Sequence, residues 1–86
     1  MQTHIGQIAL LVNDYDEAIE YFVNVLQFSL VEDTILSDKK RWVVIEPRES
    51  NNQGCKLLLA KASNNNQLKF VGNQSGGRVF LFLYTS

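Results

Sequence analysis

Only one stretch of this chain has helical periodicity, whereas five have the alternation of β-strands, and that imbalance restricts what it can fold into. A helix buries one stripe, and a sheet has two faces to cover. One helix laid on four or five strands therefore leaves a whole sheet face for water, a ligand or another chain. The helix itself is well marked. Asp14 is a suitable N-cap, and Glu17 three residues later makes a capping-box-like pair. Tyr15, Ala18, Ile19, Phe22, Val23 and Leu26 then recur as one apolar stripe. Asp16, Glu17 and Glu20 fall in the first turns, where negative charge suits the helix dipole, and the helix is expected to end near Leu26.

The strand-like stretches follow in order. Residues 5–12 read as a buried strand, with Gln7, Ala9 and Leu11 on one face and Ile8, Leu10 and Val12 on the other. Both faces are mostly apolar, so both are expected to be covered. Residues 28–36 make a second strand with a mixed polar face, SDKK a turn, and 41–47 a third strand stopped by Pro47. A polar loop, 48–54, precedes a fourth strand at 55–62. There Cys55, Leu57 and Leu59 alternate with Lys56, Leu58 and Ala60. Residues 63–77, rich in Asn, Ser and Gly, read as a loop with one helical turn around Gln67 to Val71, and 78–86 as a last strand. The expected class is α+β: a βαβββ module, a further C-terminal strand, and a curved mixed sheet with a helix on its convex side. With 86 residues the chain is one domain with a thin core.

Composition removes several classes. One cysteine, Cys55, excludes an internal disulfide framework, and one histidine, His4, excludes schemes needing two histidines from one chain. Cys55 is expected to be a small core residue and His4 an exposed terminal one. No apolar run is long enough for a membrane helix, and no basic segment precedes an apolar one at the N-terminus, so a cytoplasmic location with no membrane partner is expected. Residues 1–38 hold acids and no Lys or Arg, while the remainder holds all the bases. The one dense basic run is Lys39-Lys40-Arg41, read as a solvated turn rather than a phosphate contact, and nucleic acid is not an expected partner. Ser37, Ser50 and Ser75 sit in turn-like contexts without a nucleophile signature.

The stretch IGQIALLVNDYDEAIEYFVNVLQF resembles the opening of a module of the vicinal oxygen chelate superfamily, which includes glyoxalases, bleomycin-resistance proteins and extradiol dioxygenases. The likeness rests on Val12-Asn13-Asp14, on Ala18-Ile19-Glu20-Tyr21-Phe22 and on Leu26-Gln27-Phe28, with weaker support from RWVVIEP, CKLLLAKA and GGRVFLFLYT. It implies a complete module in residues 1–62, a loop over 63–77, and residues 78–86 as the first strand of a second module. Gln27 stands where the family usually has Gly, at a position that often needs left-handed backbone.

The resemblance also locates candidate site residues. The family's metal-ligand positions fall on Gln7, Leu58 and Arg78. Leu has no lone pair and Arg only donors, so no metal and no other cofactor is expected. In the family's geometry Gln7, Ala9, Leu11, Lys56, Leu58, Arg78, Phe80, Phe82 and Tyr84 share the concave face, with Trp42 as a further candidate. Gln7, Arg78, Phe80, Phe82, Tyr84 and Trp42 are thus the expected ligand-binding residues, and no residue is assigned a catalytic role. An aromatic wall with one cation and one phenol suits a small apolar or aromatic ligand bearing an anionic group. The last strand, apolar on both faces, is an exposed edge unless two chains associate. The resulting reading is a metal-independent small-molecule binder assembled as a homodimer, with a cleft formed by two modules. The alternatives are a structural or protein-interaction module and a metal-dependent lyase, isomerase or dioxygenase.

Overall fold

The structure is a computed structural model, and it describes residues 2–48 and 54–84. Ser50, most of the 48–54 loop and the last two residues lie outside the described set. The elements are β1 (Gln7–Val12), α1 (Tyr15–Glu20) continued by a π-helical turn (Tyr21–Val25), β2 (Phe28–Ile35), β3 (Arg41–Pro47), β4 (Lys56–Lys61) and a short α2 (Asn65–Leu68). The strands form one sheet in the order β1-β4-β3-β2, with β1 parallel to β4 and the other pairs antiparallel. This is the α+β arrangement expected, a mixed curved sheet carrying its main helix on one face.

Side-chain alternation divides the sheet cleanly. Ile8, Leu10, Val12, Val43, Ile45, Leu57 and Leu59 face α1, where they meet Tyr15, Ala18 and Phe28. Val43, Ile45 and Leu59 are almost wholly buried there. Ile19, Phe22, Leu26 and Leu81 pack against this cluster from its margin. Five residues of the predicted helical stripe, Tyr15, Ala18, Ile19, Phe22 and Leu26, therefore meet the core, while Val23 lies outside the cluster.

Local signals at both ends of the helix are also realised. Asp14 is extended, and its Oδ2 accepts a hydrogen bond from the Glu17 amide at 2.9 Å. At the other end the Leu26 amide reaches back to the Tyr21 carbonyl at 3.1 Å, widening the last turn. That turn leaves Tyr21 and Val25 exposed, and Phe22 meets Phe28 edge-on at 5.3 Å between ring centres. Gln27 then has φ 61°, the left-handed backbone anticipated for its position. A side chain with a Cβ is strained there by about 1 kcal/mol.

Four expectations are corrected. Residues 79–84 form no strand in the described chain: they lie after the turns at 73–78 and pair with nothing. Their composition favours a strand, but a strand exists only as part of a ladder, and among the described residues this segment pairs with neither sheet edge. The second face of β1 is not covered, since Gln7 and Ala9 are exposed, and the strand starts at Gln7 with Ile5 outside it. Cys55 lies before β4, half-buried and outside the core cluster. The helical turn of the 63–77 loop begins earlier, at Asn65, because Asn64 caps it by accepting from the Gln67 amide at 2.9 Å.

The basic run after β2 is also not uniformly solvated. In the turn, Ser37 Oγ accepts from the Lys39 and Lys40 amides. Arg41, the next residue, is an organising group. Its guanidinium donates to both carboxylate oxygens of Asp33 (3.0 and 2.6 Å) and to Asp16 (3.0 Å), and it lies 5.2 Å from the Tyr15 ring centre. The Arg41 amide also donates to the Tyr15 hydroxyl at 3.3 Å. One side chain thus ties the β2–β3 hairpin to the start of α1.

Hydrogen bonding to Arg41 holds the Asp33 carboxyl below its ordinary value. A depressed carboxyl contributes stability above its unfolded value, about 3.9, and loses it as pH falls through the folded value. Asp33→Asn should therefore destabilise the chain at pH 7, and the gap to the parent should close below about pH 4 in urea titrations. Arg41→Ala should cost about 2 kcal/mol, and Gln27→Gly should recover up to about 1 kcal/mol, both read as thermal unfolding midpoints.

Candidate functional site

The face opposite α1 carries Gln7, Ala9 and Leu11 from β1, Lys56, Leu58 and Ala60 from β4, and Trp42, Val44 and Glu46 from β3. One end of this face is polar. Gln7 stands opposite Lys56, and the Lys56 ammonium lies 3.7 Å from Glu46 Oε2, an ion-pair distance too long for a hydrogen bond. The other end is apolar and hollowed. An open groove of about 850 Å³ has Leu11, Leu58, Ala60 and Trp42 on its floor and Lys39, Lys40 and Lys61 on its rim, with Ser63 and Gln67 at the α2 side.

Two features shape the α2 side. Gln67 Oε1 accepts from both the amide and the hydroxyl of Ser63, at 2.7 and 2.9 Å. Farther along, Gln74 makes a two-point contact with β1. Its Nε2 donates to the Leu11 carbonyl at 2.8 Å and its Oε1 accepts from the Leu11 amide at 3.1 Å. Gly6 and Val12 carbonyls accept from β4, so the peptide groups of Gln7, Ala9 and Leu11 point to the sheet's outer edge. The Gln74 amide therefore takes the place of an adjoining strand at Leu11 and anchors the loop that carries α2.

The six residues expected to bind ligand are not assembled together. Trp42 lines the groove and is 37% exposed. Gln7 lies on the same face but at the polar end, outside the groove lining. Arg78, Phe80, Phe82 and Tyr84 are not on the sheet, because the strand meant to carry them is not formed. Phe82 and Tyr84 are largely exposed, and Leu81 is the residue of this segment that reaches the core. Sequence reading missed Lys39, Lys40, Lys61, Ser63, Gln67 and Gln74. A signal existed for the first two, as a basic run next to Trp42. None existed for Gln74, whose partner is 63 residues away.

A sequence profile described as the Glyoxalase/Bleomycin resistance protein/Dioxygenase superfamily matches residues 4–86. The chain belongs to this superfamily. A protein of Shewanella frigidimarina (strain NCIMB 400) is 58% identical over 86 residues, covering 99% of this chain and 62% of the relative. The superfamily fold recurs in a solved protein from Sphaerobacter thermophilus DSM 20745, at TM-score 0.63 and 22% identity over 77% of this chain and 51% of that one. It recurs in TnmS3, an antibiotic-binding protein from Streptomyces sp. CB03234, at TM-score 0.58 and 22% identity over 70% of this chain and 46% of that one. This superfamily member thus spans less than two thirds of the Shewanella relative and about half of each of these solved structures.

Superfamily membership raises the question of a divalent metal. The donor set does not fit one. Gln7 offers one neutral amide oxygen, Leu58 is a floor residue of the groove, and Arg78 is a donor-only cation off the sheet. Among the described residues, no three His, Cys, Asp or Glu side chains gather closely enough to hold an ion. No described helix is long and apolar enough to cross a membrane.

The Gln74 anchor makes a direct prediction. Gln74→Ala should lower stability by about 1–2 kcal/mol and speed hydrogen exchange at the Leu11 amide more than at Leu10, whose peptide group stays in the β1–β4 ladder.

Proposed function

We propose that this protein is a metal-independent small-molecule binder that takes an apolar or aromatic ligand with an anionic group on the open face of its sheet. The observation that carries the reading is the groove: an apolar floor with one tryptophan, on the face opposite α1, where Leu11, Leu58 and Ala60 stay partly exposed. A catalytic reading lacks support in the donor set, since no nucleophile–base pair or metal cluster lines the groove among the described residues. TnmS3, an antibiotic-binding protein that shares the fold, supports binding as the class of function.

The proposal extends to a homodimer in the cytoplasm, with two modules facing each other across the open faces. Its support is the apolar surface that a single copy leaves exposed, Val79, Phe82, Leu83 and Tyr84 in the C-terminal segment, together with the outward peptide groups of Gln7 and Ala9 on the β1 edge, which pair with no strand among the described residues. A structural or protein-interaction role is the second reading, and the same exposed aromatic segment favours it.

The test uses chelator-treated protein and 2-naphthoate, followed by calorimetry. Saturable one-to-one binding that is unchanged by added Zn²⁺, Ni²⁺ or Mn²⁺ is expected. Trp42→Ala should weaken it about tenfold, as expected for loss of a stacked aromatic wall. Sedimentation at micromolar concentration should give twice the chain mass. Absence of binding to both 2-naphthoate and its uncharged analogue 2-acetylnaphthalene would remove the small-molecule reading, and a compact monomer would remove the dimer.

A further inference from the structure

We infer that the anionic group of the ligand is read by Lys39, Lys40 and Lys61 at the groove rim, making this protein selective for flat aromatic carboxylates or sulfonates over their uncharged analogues. The inference rests on the binding reading above and adds which residues set the selectivity. It relocates the anion contact from Arg78, where the family resemblance had placed it.

Charge bookkeeping around the groove supports this. Four cations line it, Lys39, Lys40, Arg41 and Lys61, and no carboxylate does. Arg41 is paired with both Asp33 and Asp16, a cluster of net charge −1, and has no spare charge to offer. The three lysines make no ion pair among the described residues. Asp14 and Asp38 lie in an adjoining hollow of about 210 Å³ that shares Lys39 and Lys61. Asp14 is held as the α1 cap, accepting from the Glu17 amide. The groove wall itself therefore carries lysine ammonium groups and no carboxylate at one end of an apolar floor, with the nearest acids, Asp14 and Asp38, in the adjoining hollow.

The lysines are also placed by structure rather than by chance exposure. Lys39 and Lys40 sit in the tight β2–β3 turn, where the Leu36 and Ser37 amides donate to the Lys40 carbonyl at 2.9 and 3.1 Å. Lys61 ends β4 in register with Val12 on the α1 side, and at this strand end its side chain lines both the groove and the adjoining hollow. Gln67 adds a neutral donor: its Oε1 is occupied twice by Ser63, which leaves its NH₂ as the end available to an acceptor. A ring lying on Trp42 and Leu58 would bring a carboxylate or sulfonate among these groups. An ammonium can approach such an anion from several sides without the planar match that arginine requires, so the rim reads charge more than shape.

The experiment compares 2-naphthoate with 2-acetylnaphthalene, in which a methyl ketone replaces the carboxylate on the same ring. Calorimetry should show the carboxylate binding about tenfold more tightly at low salt, with the advantage shrinking as NaCl is raised. Lys61→Gln and Lys40→Gln should each reduce the preference about threefold, and the triple change with Lys39→Gln should abolish it while the ketone binds as before. Arg78→Gln should leave the preference intact. Circular dichroism checks that each variant is folded; these are exposed or rim positions, and the substitutions keep the side-chain length nearly constant. Equal affinity for the two compounds overturns the inference and leaves the binding reading standing. So does a preference that survives the triple change, or one that Arg78→Gln removes. Failure of both compounds to bind overturns the binding reading and the inference together.

Discussion

A single helix can cover only one face of a four-stranded sheet, and everything distinctive about this protein depends on that limit. The covered face behaves as a conventional small core: Val43, Ile45 and Leu59 are essentially sealed under α1, and truncating any of them to Ala would leave a cavity costing about 2–5 kcal/mol. The uncovered face is where Trp42, Leu58, Leu11 and Ala60 remain reachable. A core this thin leaves little stability to spare, so contacts outside it matter in proportion. Arg41 is the leading case. It joins Asp33 on β2, Asp16 on α1 and the Tyr15 ring, and so fixes the helix against the hairpin at the end of the sheet where the groove opens.

Edges are managed with similarly small means. β1 is an edge strand whose outward peptide groups belong to Gln7, Ala9 and Leu11. At Leu11 a side-chain amide supplies both the donor and the acceptor that a neighbouring strand would supply. This caps the edge locally and also pins the loop that brings Ser63 and Gln67 to the groove. Structure and site are joined at one residue, because the hydrogen bonds that quiet the edge are the ones that hold the groove's far wall.

Local patterns were legible in the sequence to the extent that their causes are local. The Asp14 cap, the Tyr15-to-Leu26 stripe, the left-handed Gln27 and the Ser37-to-Lys40 turn all depend on residues a few positions apart, and each is present. The alternation of β4 was legible for the same reason. What failed required knowledge of distant partners. Residues 79–84 have the composition of a strand, but whether a strand forms depends on an edge to join. With it went Arg78, Phe80, Phe82 and Tyr84 as members of one face, leaving Trp42 as the expected residue that lines the groove. Lys39 and Lys40 were visible as charge, but their value comes from lying across a groove from Lys61, a relation set by the pairing of β3 with β4 and not by spacing along the chain. Gln74 was invisible because one glutamine in a loop looks like any other.

Leu58 shows how a shared fold can support a change of chemistry. The superfamily resemblance puts a metal-binding carboxylate at this position, diagonal to Gln7 across the β1–β4 pair. An isobutyl group there cannot donate an electron pair, but it offers apolar area next to Trp42 at the centre of the open face. Restoring Glu at this position without also supplying imidazole at position 7 would bury a charge on the groove floor with no ion to compensate it. Gln7 and Leu58 are therefore best understood together: Leu58 has no lone pair for a metal, Gln7 offers one neutral amide oxygen, and the pair leaves the floor uncharged while lysines stand at the groove's end. On the proposed reading the ligand's orientation follows from that separation, with its ring over Leu58 and Trp42 and its acidic group held away from the sheet.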